Sequence, residues 1–237
     1  MKHIFATIAF LSLSMLLMAR DFSDEELYND YLTGKMVLWG EYLAANDNNG
    51  NVNDEELQRL VNYDYGYIAW LIDEQRRDDA QHRLAIFQRR VEMLKQIEDI
   101  DMADVYVYQA AVAAFNWMLN KIKLNYAKKA IDYTDKAIKE NATNPRALSL
   151  LGNAQFNNPF GSNKDAVKTL LRAIEMFQRY GEDKHSWGYT ATRLSLVQCY
   201  EKLGQKDKAI QYAKQILTDS PEFIYLRDVY LPKLMKK

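Results

Sequence analysis

Apolar and small residues recur at helical spacing through most of this chain. In 127–140, Ala127, Ala130, Ile131, Thr134, Ala137 and Ile138 recur at offsets 0, 3, 4, 7, 10 and 11, which places them on one face of a helix. The same stripe returns in 164–178 as Ala166, Val167, Leu170, Leu171, Ala173, Ile174 and Phe177, and in 206–218 as Ala209, Ile210, Ala213, Ile216 and Leu217. Ser23 with Glu26 has capping-box spacing and predicts one helix to about Ala45; Asn53 with Glu56 opens a second to about Glu74. Two long helices follow at about 78–97 and 102–124. Alternation of period two is confined to Val105–Tyr108, inside a helical context. The expected fold class is all-α.

Composition narrows this further. Nine Gly and four Pro in 237 residues leave little material for the tight turns of a sheet, and 48% hydrophobic residues exclude a disordered chain. Lys+Arg number 31 against 32 Asp+Glu, a net charge of −1, so no bulk field recruits nucleic acid or an anionic membrane. Cys199 is the sole cysteine, which excludes an internal disulfide framework and any multi-cysteine metal site. At the N-terminus, Lys2 and His3 precede an apolar run from Ile4 to Met18 that ends at Ala19. That run is about 15 residues, against the roughly 20 needed to span a bilayer, and 1–19 reads as a cleaved signal peptide. Leu17 sits at the −3 position of that cleavage site, where a small residue is usual. The expectation is an exported, periplasmic domain of residues 20–237 with no stable membrane insertion after cleavage.

The helical stripes also resemble one another. The tetratricopeptide pattern places Leu-Gly-x2-Tyr on a first helix, then Ala-x3-Phe-x2-Ala and Pro on a second. Small residues let the two helices approach, and Pro ends the second. The last hairpin carries Leu196, Tyr200, Leu203-Gly204, Ala209, Ala213, Ile216 and Pro221; the one before it Leu148, Leu151-Gly152, Ala166, Leu170 and Ala173. An earlier one keeps Ala130, Thr134 and Ala137 before Asn144-Pro145, with Thr134 where an aromatic is usual. A fainter copy holds Tyr67, Ile68, Leu71, Ala80, Leu84 and Phe87. Counting helices from the start gives hairpins at about 23–76, 77–124, 125–162 and 163–219, with a capping helix at 221–235.

From about 62 to 232 the chain thus resembles secreted tetratricopeptide-repeat proteins of Gram-negative bacteria, particularly a Bacteroidetes group. The segments carrying the resemblance are YDYGYIAW at 63–70, NPRALSLLGNAQF at 144–156, NPFGSNKDAVKTLLRAIEMF at 158–177, SWGYTATRLSLVQCYEKLG at 186–204 and SPEFIYLRDVYLP at 220–232. More remotely it is similar to the periplasmic T-component of TRAP-type transporters. The resemblance implies a right-handed superhelix, an α-solenoid of stacked antiparallel helix pairs, whose first helices line a concave groove. Groove-facing positions are then Tyr65, Ala69 and Ile72 in the early hairpin, Arg146, Ser149, Asn153 and Phe156 in a later one, and Leu194, Gln198 and Glu201 in the last. Aromatic, amide and guanidinium groups together suit a peptide or a small polar ligand bearing an anion.

Catalytic signatures are few. The chain has no HExxH, GxSxG, Walker or GxGxxG motif, and past residue 19 only His82, His185 and Cys199 offer imidazole or thiol. One calcium-loop candidate stands out. With Gly50 at position 6 of a twelve-residue loop, Asp47, Asn49, Asn53 and Glu56 fall at ligand positions 3, 5, 9 and 12. Position 1 is Ala45, which has no oxygen to offer. The expectation is therefore a non-enzymatic scaffold without cofactor, a monomer that captures a protein or peptide partner and not nucleic acid. The alternative is a solute-binding accessory of a transport system.

Overall fold

The computed structural model describes residues 21–47, 52–120, 124–157, 162–182, 185 and 188–236. The expected signal peptide 1–19 and Asn49 lie outside the described residues. The chain runs through α1 Asp24–Leu32, α2 Val37–Ala45, α3 Asp54–Asp73, α4 Arg77–Leu94, α5 Met102–Leu119 and α6 Leu124–Glu140. It continues with α7 Pro145–Asn157, α8 Asn163–Arg179, α9 Tyr189–Lys202 and α10 Lys206–Asp219. A π-helical turn, Tyr225–Tyr230, leads into α11 Leu231–Lys236. The fold class is all-α, with no strand among the described residues.

The helix expected from 23 to 45 is two helices. The capping box is present: Ser23 Oγ accepts from the Glu26 amide, and the Glu26 carboxylate accepts from the Ser23 amide. Gly34, at φ +69°, then ends α1, and the Lys35 amide reaches back 3.3 Å to the Asp30 carbonyl. This is the six-to-one bond of a glycine-terminated helix, and apolar periodicity does not report it. Asp30 does double duty, its carboxylate accepting from the Leu38 amide at 2.7 Å to start α2. Asn53 caps α3 by accepting from the Glu56 amide at 2.8 Å, while the Glu56 carboxylate accepts from the Tyr42 hydroxyl.

Neighbouring helices pair, α3 with α4, α5 with α6, α7 with α8 and α9 with α10. The hairpins thus run over 54–94, 102–140, 145–179 and 189–219 and not at boundaries counted from residue 23, because the split of the first helix moves the count by one. Small residues sit where helices close on each other. Ala166, Ala173, Ala209 and Ala213 are fully buried. A Cβ on Gly152 would lie 2.7 Å from the Leu170 side chain. Cys199 is buried, and burial pushes its thiol up to about 11.

The core is uneven. One apolar cluster gathers α3, α4 and α5 around Ile68, Phe87 and Phe115; another joins α1, α2 and α3 around Leu27, Trp39 and Leu43. A third holds the C-terminal hairpins around Leu170, Leu196 and Ile216. Between them, α5, α6, α7 and α8 meet through two small clusters, Val107–Ala137–Ala147 and Leu148–Ala173–Met176. A second bridge crosses from the N-terminus. Tyr28 and Leu32 of α1 belong to the C-terminal cluster. The Tyr28 hydroxyl lies 3.0 Å from Thr190 Oγ1 and 2.7 Å from Ser220 Oγ, and the Tyr31 ring packs on Phe223 at 5.8 Å. Helix α1 is thus clasped to the C-terminal hairpin and the segment that follows it.

Candidate partner-binding face

The expected groove residues divide into two groups. Tyr65 packs into the α3–α5 core, its ring 5.3 Å from that of Phe115, and burial raises its phenol pKa. Ala69 and Ile72 pack into the same core, and Leu194 into the C-terminal one. Ser149 is buried, its hydroxyl 2.7 Å from Thr192 Oγ1. Glu201 accepts from the Tyr230 hydroxyl of the C-terminal segment. Asn153, Phe156 and Gln198 are half-exposed on α7 and α9.

Arg146 is committed elsewhere. Its guanidinium grips the Glu182 carboxylate with both nitrogens, at 2.6 and 3.1 Å, approaches Asp104 at 4.0 Å and lies over the Phe177 ring. Asp104 also accepts from Asn144 at 2.9 Å, and burial raises its pKa against the pull of Arg146. The anion that an open groove would draw to Arg146 is supplied by the protein's own Glu182.

Two contacts register α7 against α9. Ser149 meets Thr192 near one end. Near the other, Lys202 Nζ donates to the Phe156 carbonyl at 3.1 Å and rests 4.6 Å above the Phe156 ring. Asn153 and Gln198 fall between these two contacts, on neighbouring parallel helices. Side-chain amides offer one acceptor and two donors each, the complement of a peptide group.

Asp47, at position 3 of the calcium-loop candidate, belongs to a different structure. Its carboxylate binds Arg83 in two-pronged fashion at 2.5 and 2.8 Å and meets Arg90 at 3.4 Å. Asp64, fully buried on α3, lies 2.7 Å from Arg90 Nη1 and 3.4 Å from Arg83 Nη1. Arg90 also donates to the Asn46 carbonyl at 2.9 Å. Two buried guanidiniums balance two carboxylates, and a cation beside Asp47 would face both guanidiniums. Asn53 caps α3 and Glu56 is occupied by Tyr42 and Arg59, 3.6 Å away. Among the described residues no group of three or more His, Cys, Asp and Glu side chains could hold a metal ion.

Burial pushes the Asp64 carboxyl up to about 6, with Arg90 and Arg83 holding it from rising further. Sequence reading missed this network. The available signal was Arg83 and Arg90, two turns apart on the same helical face as Phe87 and therefore aimed at the core. His185 meets the Tyr28 ring edge-on at 5.1 Å. Compared with known proteins, the chain matches no family model and no curated sequence.

Proposed function

We propose that this protein is an exported, non-enzymatic helical-repeat scaffold that captures a protein or peptide partner. In this reading the paired helices stack as a right-handed superhelix of tetratricopeptide type, and the monomer acts in the periplasm after losing residues 1–19. The observation that carries it is the register of α7 against α9, set by Ser149–Thr192 and Lys202–Phe156, with the partly exposed amides Asn153 and Gln198 between those contacts along the two helices. An extended peptide laid along these helices would exchange backbone hydrogen bonds with both amides and rest an apolar side chain on Phe156. Lys202 favours a carboxylate or acidic residue at the same end. In this reading the partner lies along a face between two helices, which suits a chain-like partner better than a small solute. Tyr65 packs in the α3–α5 core, Arg146 is held by Glu182, and Ser149 and Leu194 pack between helices, so in this reading none of the four touches the partner.

The test is selection of binders from a displayed random-peptide library, followed by titration of one selected peptide. Asn153→Ala with Gln198→Ala is expected to weaken that peptide about tenfold or more while Tm stays within experimental error, since both side chains are half-exposed. Equal affinity for the variant would remove the peptide from this face and with it the proposal.

A further inference from the structure

The near-zero net charge conceals a separation of charge between two edges of the molecule. Successive helices alternate in direction, so the α3–α4, α5–α6, α7–α8 and α9–α10 turns share one edge. Side-chain contacts tie these turns together: Arg77 donates to the Leu119 carbonyl, Lys202 to Phe156, and Lys206 to the Met235 carbonyl at 3.2 Å. The opposite edge is tied by Asn141 to Asp101 at 2.9 Å, by Arg146 to Glu182, and by Arg193 to Asp219 at 2.7 Å.

From Val105 to Ile131 the sequence holds four lysines and no acidic residue. Lys128 and Lys129, in the first turns of α6, are exposed. Along the same edge Lys202, Lys208, Lys233 and Lys236 are exposed as well. The α3–α4 turn is mixed: Arg76 and Arg77 stand among Asp73, Glu74, Asp78 and Asp79, with Arg76 and Asp79 paired at 2.7 Å. The opposite edge carries Asp54 and Glu55 at the start of α3 and Glu98, Asp99 and Asp101 before α5.

The basic edge also presents its apolar side chains outward. Leu124 is 75% exposed, Trp117 38% and Met118 37%, all flanking the α5–α6 turn. Lys128 follows Leu124 by one helical turn. Large apolar groups exposed beside lysines on one edge match a surface that is apolar within and anionic at its face, as a bilayer is. An indole settles at headgroup depth, Leu and Met enter the acyl boundary, and lysines one turn behind meet lipid phosphates. Among the described residues no helix is long and apolar enough to cross a membrane, so the contact is peripheral.

We propose that the α5–α6 tip, with Trp117, Met118, Leu124, Lys128 and Lys129, docks this protein on an anionic lipid surface. The test is co-sedimentation of the full chain with vesicles of phosphatidylcholine, with and without 30% phosphatidylglycerol (about one lipid in three, to set a strong surface potential). The readout is the part of the binding that requires phosphatidylglycerol, since the apolar run 4–18 can enter either vesicle. That part is expected to fall about tenfold for Leu124→Glu and for Lys128→Glu with Lys129→Glu, and to fall steeply with added salt. These side chains are exposed, so circular dichroism and Tm should match the wild type. Binding that ignores phosphatidylglycerol, or that is unchanged in both variants, overturns the proposal. So does retention on an acidic peptide resin combined with no anionic-vesicle component.

Discussion

At the scale of single residues, the strongest electrostatic commitment is the square of Asp47, Asp64, Arg83 and Arg90. A buried ion pair contributes little net stability when complete and costs heavily when broken, because a charge is then left without company. Arg90→Met, which takes the nearest cation from the fully buried Asp64 carboxylate, is expected to lower the unfolding free energy by about 3 kcal/mol at neutral pH, read by urea titration. The pH dependence of Asp64 itself has a defined sign. Because the folded pKa is raised to about 6 from 3.8, the native state takes up a proton that the unfolded chain refuses between those values. The contribution of Asp64 is complete below about 3.8 and is lost as pH rises through about 6. The stability gap between wild type and Asp64→Asn should therefore be wider at pH 5 than at pH 7. A gap that narrows on acidification would show that the guanidiniums, and not burial, dominate at Asp64.

At the scale of elements, most of the helices were legible in the sequence, because apolar periodicity and caps are local. The Ser23 and Asn53 starts, the 206–218 stripe and the buried alanines need no knowledge of distant chain. The break at Gly34 and the ion square were not legible in the same way. One depends on a backbone conformation and the other on side chains separated by tens of residues. Repeat counting singled out Arg146 and Ser149 on α7 but could not show that Glu182 and Thr192 would occupy them, since both partners lie more than thirty residues away. Two glycines mark an element contact that periodicity also hides. A Cβ at Gly66 would come within 2.4 Å of Trp39 Cζ3, and one at Gly40 within 2.7 Å of the Tyr67 hydroxyl oxygen. Alanine in mid-helix gains about 1 kcal/mol over glycine. A rigid indole wedged between helices resists displacement, and overpacking costs about 1–3 kcal/mol. Gly66→Ala is expected to be net destabilising by about 1 kcal/mol or more, with a lowered Tm; an unchanged or raised Tm would mean that Trp39 moves freely.

At the scale of the whole molecule, the clasp between α1 and the C-terminal hairpin matters most. Repeat arrays ordinarily hold only neighbour contacts, so their ends fray independently. Here Tyr28 carries two buried hydroxyl contacts to residues at the far end of the chain, and an aromatic run of Tyr31, Trp39, Tyr63 and Tyr42 continues them into α2 and α3. Tyr28→Phe leaves Thr190 and Ser220 short of a partner and is expected to cost about 1–3 kcal/mol. The diagnostic readout is hydrogen exchange. Amides of α9 and α10 should lose protection along with those of α1 in the variant. Loss confined to α1 would mean that the two ends are not coupled. The slender junction of Val107, Ala137 and Ala147 makes this coupling important, since the N-terminal and C-terminal cores otherwise share little apolar surface.

The clasp also sets a timetable. A chain synthesised from its N-terminus delivers α1 long before Ser220 and Phe223 arrive. Repeats between them can close against neighbours as they emerge, yet Leu32 and the Tyr28 ring must wait, uncovered, for the last fifth or so of the polypeptide. The earliest helix delivered is thus among the last to be finished. A nascent protein stalled before residue 220 would present that unfinished helix to whatever else is folding nearby.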